Sequence, residues 1–405
     1  MDSCKNLGVA TLRGQALRVV VGLTLASLAL AGCGAAAVKS SSSIPAGPIT
    51  LGAIYTLSGP FAAFGEVNLK TDQALIARMN AAGGIAGHKI NLTYQNDQGN
   101  PADAVAAANQ LVADHVAGII YDGTSATVEQ ATAVFMKAKI PVVDFDPSDF
   151  WNNVKQWPYD FTVYSSFYPQ AQTILKFAKY KGVSKIGFLG DTTPFAVALG
   201  GDLVSVAKSK HFPYVTQNYS LTTTDVTPQL VTLKNDGVQA IVLDGETGFG
   251  YVYNGLQSLN WHPYIFTTFA AYFVDYSSLG SLGRDAYSTC QTNVRSGQSL
   301  PPTLNTLVPY VTQKTGIQFI GSDSVLLNEN DILEIFKYAI EKAHSLNGTA
   351  LRNTIEHISG IGFTVKSYKY YFSPTHRTGW PASESYMCYL TPLGPYQSPI
   401  TAPGS

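Results

Sequence analysis

The chain has 405 residues, which is enough for two or three domains with large apolar cores. Hydrophobic residues make up 45% of it and charged residues only 13%, about half the usual charged share. The formal net charge is −1, so the composition excludes the basic excess that is typical of nucleic-acid-binding proteins.

The N-terminus has the pattern of an export signal. Lys5, Arg13 and Arg18 form a positively charged segment that precedes an apolar run, 19–30, which is too short to span a bilayer comfortably. The sequence "LAGC" then ends at Cys33 and resembles a bacterial lipobox, which predicts a lipoprotein signal peptide at 1–32 and a lipidated Cys33. An ordinary signal peptide with a chance cysteine is the alternative. The serine-rich residues 33–48 are predicted to be a flexible tether.

From residue 49 the chain alternates between strands and helices. The apolar, β-rich runs "ITLGAIYT", "KINLTYQ", "VAGIIYD" and "IPVVDF" are separated by segments with helical spacing. The alternation restarts after Ser165, with strands predicted at "KIGFLGD", "PYVTQNYSL", "QAIVLDG" and "PYIFTTF". This pattern predicts an α/β fold of βαβ units and parallel sheets. A third section, about 304–360, contains a long amphipathic helix, and residues 369–390 are predicted to form a hairpin.

Three glycines lie close together in "NAAGGIAGHKINLTYQND", at Gly83, Gly84 and Gly87. Their spacing is near that of a nucleotide-binding loop, which needs a strand, then glycines, then a helix, so that phosphate meets the helix N-terminus. Here the glycines follow a helix and precede a strand. They therefore indicate a helix C-cap and a turn, and no phosphate site.

The segment "NAAGGIAG", with "IYTLSGPFAAFG" upstream and "IPVVDF" downstream, resembles the type I periplasmic binding proteins. The most similar branch is the leucine/isoleucine/valine solute-binding family of ABC transporters, and the resemblance covers about 50–389. It implies two doubly wound parallel-sheet lobes joined by three crossing segments, near 161–166, 287–291 and 360–365. Lobe 1 would comprise 49–163 plus 292–361, and lobe 2 would comprise 164–288 plus 364–400.

The resemblance also implies a function without chemistry. The chain would be an extracytoplasmic substrate-binding lipoprotein of an ABC importer, anchored by Cys33 at the outer face of the cell membrane. Its partners would be a small polar organic solute, amino-acid-like or related, and a membrane permease; a monomer without cofactor, metal or nucleic acid is expected. The alternative is a ligand-sensing protein of the same fold coupled to a membrane receptor or kinase. An enzyme is disfavoured, because no nucleophile–base pattern accompanies the acidic residues.

Ligands of open α/β sheets bind beyond the carboxyl ends of the strands, so the loops there contain the candidate site residues. In the first half these are Phe64, Ser125, Ala126, Thr127, Asp146 and Ser148. In the family a Ser/Thr segment binds the ligand carboxylate, and 125–127 match it, with a plain helix cap as the alternative. Phe64 matches an aromatic wall of the family's site, and core packing is its alternative.

In the second half the candidates are Phe195, Asp244, Glu246 and Phe269. Phe195 matches the family's aromatic cap, whereas Phe269 lies where amino-acid-binding members carry a carboxylate for the α-ammonium. Either Asp244 or Glu246 therefore pairs with the ammonium, or the solute is not an α-amino acid. Further strand-end acids would favour a cationic or hydroxyl-rich ligand if they line the cleft, or else they cap helices or point to solvent: Asp122, Asp144 and Asp191.

Two cysteines remain after Cys33, at Cys290 and Cys388. Disulfides persist outside the cytoplasm, so a bridge between them is expected, and two buried free thiols are the alternative. No CxxC pair or Cys/His cluster indicates a metal site.

Overall fold

The computed structural model describes residues 44–147, 153–244, 249–268, 285–290, 301–317, 323–380, 385–390 and 402–404. The first sheet has five strands in the order β2-β1-β3-β4-β5, and every neighbouring pair is parallel. The strands are β1 (Ile49–Tyr55), β2 (Ile90–Asn96), β3 (Ile119–Asp122), β4 (Val142–Asp144) and β5 (Asp160–Thr162). Strands β1, β3 and β4 are buried almost throughout, as expected for a parallel sheet covered on both faces.

Helices cover both faces of this sheet. They include α1 (Ala62–Ala81), α2 (Pro101–Ala113) and α3 (Val128–Ala138). Residues that alternate along β1 enter different cores: Ile54 packs with α2 and α3, whereas Leu51 and Tyr55 pack with α1. The period of two along a strand therefore divides the apolar residues between the two layers.

The second sheet has six strands in the order β13-β10-β9-β8-β6-β7. They are β6 (Ile186–Gly190), β7 (Tyr214–Asn218), β8 (Ala240–Asp244), β9 (Tyr264–Thr267), β10 (Ala286–Cys290) and β13 (Tyr386–Tyr389). All neighbours are parallel except β10 and β13, which are antiparallel. The intervening helices are α4 (Phe167–Tyr180), α5 (Pro194–Ser209), α6 (Thr227–Asn235) and α7 (Phe249–Ser258). The predicted α/β class with two parallel sheets is confirmed.

The third section returns to the first sheet. It contains α8 (Pro302–Thr315), α9 (Asp323–Ala343), α10 (Gly348–Ile355), β11 (Ser359–Ile361) and β12 (Tyr370–Tyr371), and both α8 and α9 contact α1. Thr378 then pairs with Thr162, the last residue of β5. Both sheets lie in one compact unit, 42–405, and the division into lobes at 49–163 plus 292–361 and 164–288 plus 364–400 stays a prediction.

The predicted hairpin at 369–390 is wrong. Strand β12 pairs with β11, and β13 pairs with β10, so the two segments belong to different sheets. The alternating pattern indicates extended chain but carries no information about the partner strand. The segment between them is held elsewhere, because the buried Arg377 donates hydrogen bonds to the Pro158 carbonyl oxygen and to Glu356.

The glycine turn after α1 is confirmed. Gly83, Gly84 and Gly87 have φ angles of 109°, 74° and 83°, in the left-handed region that favours glycine. The Gly84 N–H donates to the Met79 carbonyl oxygen at 2.9 Å, which closes the end of α1. A Cβ atom on Gly84 would lie 1.9 Å from the His88 carbonyl oxygen, so the tight turn requires glycine there.

Candidate functional site

The carboxyl ends of the central strands of the first sheet meet at one edge. In the register, Tyr55 at the end of β1 pairs with Asp122 at the end of β3, and Tyr121 pairs with Asp144 at the end of β4. The turns that follow β3 and β4 therefore lie side by side, and they contain most of the site residues predicted for this half.

The turn after β3 is braced by the Thr127 side chain. The Thr127 hydroxyl donates to Asp97 Oδ2 at 2.6 Å and accepts from the Tyr121 hydroxyl at 3.0 Å. Asp97, fully buried, also accepts from the Thr56 hydroxyl at 2.6 Å and from the Gly99 N–H at 2.9 Å. The hydroxyl proton of Thr127 is therefore engaged in a hydrogen bond within the protein.

The main chain of the same turn is also engaged. The N–H groups of Thr127 and Val128 both donate to the Thr124 carbonyl oxygen, at 3.0 Å and 3.1 Å. Ser125 and Ala126 are half-buried at the start of α3. Their assignment as ligand residues, and that of Thr127, stays a prediction. Sequence reasoning missed Asp97; its position two residues before Gly99, in "NDQGN", is the only local signal of a turn-forming carboxylate.

After β4, the half-buried Asp146 donates its N–H to Asp144 Oδ1 at 3.1 Å. The Phe145 ring packs edge-on against Phe64, with centroids 6.1 Å apart, so Phe64 forms part of an aromatic pair beside this turn. Ser148 lies outside the described residues.

The second sheet contributes the turn after β6. Asp191 Oδ1 accepts hydrogen bonds from the N–H and the hydroxyl of Thr193, at 2.9 Å and 2.5 Å, so its carboxylate shapes the N-terminus of α5. Phe195, in the first turn of α5, packs edge-on against Phe167 with centroids 4.8 Å apart. The Phe167 N–H donates to the Pro147 carbonyl oxygen at 3.0 Å. Phe167 therefore connects the strand-end turns of the two sheets.

The remaining predicted residues of this half cannot be placed. Asp244 ends β8, but its side chain is outside the described part of the chain, as are Glu246 and Phe269. Cys33 is outside it as well. Cys290 and Cys388 form a disulfide that joins β10 to β13, with Cα atoms 6.0 Å apart.

Three fully buried carboxyl groups lie close together near the carboxyl end of β3 in the first sheet: Asp72 of α1, Asp122 of β3 and Glu329 of α9. The Tyr55 hydroxyl donates to Asp72 Oδ2 at 2.5 Å. Burial raises the pKa of Asp72 to about 7. Burial, and then the neighbouring charges, also raise the pKa of Asp122 and of Glu329 well above their usual values. Within the described residues this carboxylate set is also the group that could hold a metal ion.

Sequence reasoning identified Asp122 but missed Asp72 and Glu329, because both lie inside helices. The available signal was helical spacing, since Asp72 falls on the same stripe of α1 as the apolar Leu75 and Ile76.

A second buried pair lies one strand further along the sheet. Burial and then the charge of Asp160 raise the pKa of Asp144 well above its usual value. Burial and then the charge of Asp146 do the same for Asp160, while Arg377 opposes the shift. The Arg377 guanidinium also pairs with Glu356 at 3.1 Å and lies 4.7 Å from the centre of the Phe161 ring. This pair, unlike the first group, has a buried cation beside it.

Three of the strand-end acids therefore do not contribute to an open anionic surface. Asp122, Asp144 and Asp191 are each 0–1% exposed, and Asp191 is bonded within its own turn. Among the described residues no helix has the length and apolar character that crossing a bilayer needs.

Comparison with known proteins agrees with this architecture. A relative, the Leu/Ile/Val-binding protein homolog 3 of Brucella melitensis, is 41% identical over 83 residues, which is 20% of this chain and 23% of that protein. The matched stretch thus spans only about a quarter of that relative.

Two solved structures share the fold. The branched-chain amino acid transporter substrate-binding protein LivJ of Streptococcus pneumoniae, in complex with isoleucine, matches with a TM-score of 0.71 and 16% identity, over 88% of this chain and 100% of that one. The fatty acid ABC transporter substrate-binding protein of Thermomonospora curvata matches with a TM-score of 0.74 and 15% identity, over 89% and 94%. At these identities the likeness shows the fold alone.

A match over a much longer part of the chain identifies its family. The family described as periplasmic binding protein matches residues 48–379, which is most of the chain and includes the strand-end turns and every described strand except β13. This agrees with the resemblance that the glycine turn and its flanking segments indicated. The chain belongs to the periplasmic binding protein family.

Proposed function

We propose that the chain is an extracytoplasmic substrate-binding lipoprotein of an ABC importer, which holds a small polar organic solute where the strand-end turns of the two sheets meet. The observation that carries the proposal is the family match over 48–379. The relative from Brucella and the structure from Streptococcus, named for branched-chain amino acids, support a solute of amino-acid-like chemistry. The Thermomonospora structure, named for a fatty acid, shows that the fold alone does not decide the solute.

The geometry supports a contact at the turn after β3. A solute carboxylate would contact this turn at Ser125 and Ala126, whereas the Thr127 and Val128 N–H groups donate to the Thr124 carbonyl oxygen. The N-terminus of α3 adds a partial positive charge there, which favours an anionic group. From the second sheet, Phe195 would close over the solute beside Phe167.

The buried acids bear on the class of solute. Because Asp122, Asp144 and Asp191 are enclosed by the protein, they do not favour a polycationic ligand. A zwitterion still needs one anion opposite its ammonium group. Asp244 or Glu246, at the end of β8, would supply it, and Asp146 and Ser148 after β4 would add polar contacts.

Binding closes the cleft if the solute has a higher affinity for the closed state, and the closed form would then dock on the membrane permease. In this proposal no bond of the solute is broken. Cys33 would carry the lipid, and residues 33–48 would let the folded body reach the permease. Labelling with a fatty-acid analogue tests the anchor: Cys33→Ala should lose the label and leave the membrane fraction.

The solute is tested by measuring thermal unfolding of the purified protein with amino acids, amines, polyols and aromatic acids, followed by calorimetry on each hit. For a carboxylate solute, Ser125→Ala should weaken binding by about tenfold or more, because a hydrogen bond to a charged group contributes roughly 1.5–3 kcal/mol. Ser258→Ala is the control, since that hydroxyl donates to its own helix at Gly255. Equal affinities of the two variants would remove Ser125 from the site.

A further inference from the structure

Carboxyl groups from three separate elements lie close together near the carboxyl end of β3 in the first sheet. Asp72 comes from α1, Asp122 from the end of β3 and Glu329 from α9, and each is only 0–1% exposed. One oxygen of each carboxyl lies within 4.8 Å of those of the other two. The three residues are far apart in sequence, so the fold itself assembles the group.

No basic side chain balances this group within the described residues. The ion pairs found there are Lys70 with Glu66, and Arg352 and Arg377 with Glu356. The acids contact one another, since Glu329 shares hydrogen bonds with Asp72 and Asp122, and no other described side chain satisfies the carboxyl oxygens of Asp122 or Glu329. Carboxyl groups this close together in a dry interior are either protonated, in keeping with their raised pKa values, or neutralised by a bound cation.

A neutral side chain gives an independent indication of a ligand. Asn68 precedes Asp72 by one turn of α1, and residues four apart share a helix face. Asn68 is fully buried, and neither its amide oxygen nor its amide nitrogen has a hydrogen-bond partner among the described residues. Buried amides are normally hydrogen-bonded, so an unsatisfied one on this face indicates that a further atom belongs there.

We propose that Asp72, Asp122 and Glu329, together with the amide oxygen of Asn68, form a binding site for a calcium ion. The donors are all oxygens, which suit hard cations and not zinc or copper. Calcium binds such oxygens at about 2.3–2.6 Å. Oxygens bound to one calcium ion are therefore at most about 5 Å apart, and the three carboxyl oxygens here lie within 4.8 Å of one another. Magnesium keeps several water molecules and demands octahedral geometry, which a fully enclosed site on three elements does not favour.

The site does not depend on the proposed transport function. A calcium ion at this site would connect α1 and β3, in the N-terminal part of the chain, with α9, which comes after β10 in the sequence. Asp122 also immediately precedes the turn 123–127, so the ion would fix the position of that turn. The Tyr55 hydroxyl orients Asp72 by donating a hydrogen bond to its Oδ2, so that Oδ1 is available to bind the ion.

The test uses the full-length protein, freed of metal with a chelator and then given CaCl₂, MgCl₂ or MnCl₂. We expect one calcium ion per chain by elemental analysis and a rise in Tm of about 3 °C or more at saturating CaCl₂. Terbium should bind at the same site and luminesce on excitation of tyrosine, because the Tyr55 hydroxyl is bonded to one of the proposed ligands.

Two variants make the test specific. Glu329→Gln keeps the shape but removes one charged ligand, and it should bind calcium at least about tenfold more weakly. Asp331→Asn is the matched control: it lies on the same helix and is equally buried, but its carboxylate accepts from the Thr364 N–H and the Tyr370 hydroxyl. It should keep the calcium response of the unmodified protein.

The proposal is overturned if the unmodified protein holds no calcium and its Tm does not respond. Binding of magnesium or manganese in preference to calcium would overturn the choice of ion. A calcium response that persists in Glu329→Gln would place the ion elsewhere. Should Glu329→Gln fail to fold, the tyrosine-sensitised terbium luminescence of the unmodified protein and its loss on addition of calcium decide the question, because that signal requires an ion close to a tyrosine such as Tyr55.

Discussion

The two sheets differ in what stabilises them. Beside the first sheet lie buried carboxyl groups, with Asp72, Asp122 and Glu329 near β1 and β3, and Asp144 and Asp160 on β4 and β5. The second sheet instead has the Cys290–Cys388 disulfide and a cluster of aromatic rings around Tyr287. In that cluster the Lys181 ammonium group donates to the Tyr287 hydroxyl at 2.7 Å.

Because of this difference, the two sheets should respond to different changes in conditions. Buried carboxyl groups exchange protons and bind cations, so the first sheet should respond to pH and to metal ions. The tyrosine and lysine side chains of the second cluster take up no protons between about pH 4 and 8, and a disulfide does not titrate, so the second sheet should respond to reductants. The following changes test that separation.

The largest effect is expected from Arg377→Leu. This guanidinium is 1% exposed, pairs with Glu356 and lies close enough to Asp160 to lower its pKa. Its removal leaves Glu356 with Arg352 alone and takes the neighbouring cation away from Asp160, and it should lower the free energy of unfolding by about 3–5 kcal/mol. Denaturant unfolding measures the loss.

Lys70→Met is the control for that change. It breaks the Lys70–Glu66 pair, whose side chains are more than half exposed, and should cost less than about 1 kcal/mol. A similar small loss for both variants would mean that Arg377 is not needed to balance the buried acids.

Replacing both Cys290 and Cys388 by alanine should have the next largest effect. The bridge closes a loop across a sequence separation of 98, and its removal should cost about 2–4 kcal/mol. The same loss should appear when the unmodified protein is reduced, and calcium should stabilise the oxidised and the reduced protein by equal amounts. A calcium effect that depends on the disulfide would show that the two sheets do not respond separately.

Thr127→Val tests whether the turn after β3 is held by Asp97. Loss of the hydrogen bond to this buried carboxylate should cost about 1.5–3 kcal/mol. Thr132→Val, on the same helix, is the matched control, because that hydroxyl is buried without a partner among the described residues. Valine there should be neutral or stabilising. Equal losses in the two variants would contradict the role given to Asp97.

The smallest change concerns pH. Because burial raises the pKa of Asp144 and Asp160 in the folded state, their protonated forms stabilise the fold. That contribution is complete below the unfolded pKa, about 4, and is lost as the pH rises through the folded pKa. Asp160→Asn should therefore gain stability relative to the unmodified protein between pH 4 and 7, in thermal unfolding without divalent cations. A relative loss over this range would reverse the assigned direction.

The sequence predicted local features better than distant ones. The strands β1, β3, β4, β6 and β8 follow from apolar runs bounded by turns, and the glycines after α1 follow from their position between helix and strand. The partner of β13 could not be predicted, because a strand pattern does not say whether residue 388 lies beside 371 or 288. Asp72 and Glu329 were missed for the same reason, since their proximity to Asp122 exists only in the folded chain.

A crystal structure of the protein with a solute identified in the thermal screen tests the proposed function most directly. We predict that the solute lies between the sheets and contacts both the turn 124–127 and the first turn of α5 at Phe195. A solute that contacts only one sheet, or that binds away from the carboxyl ends of the strands, would contradict the proposed function.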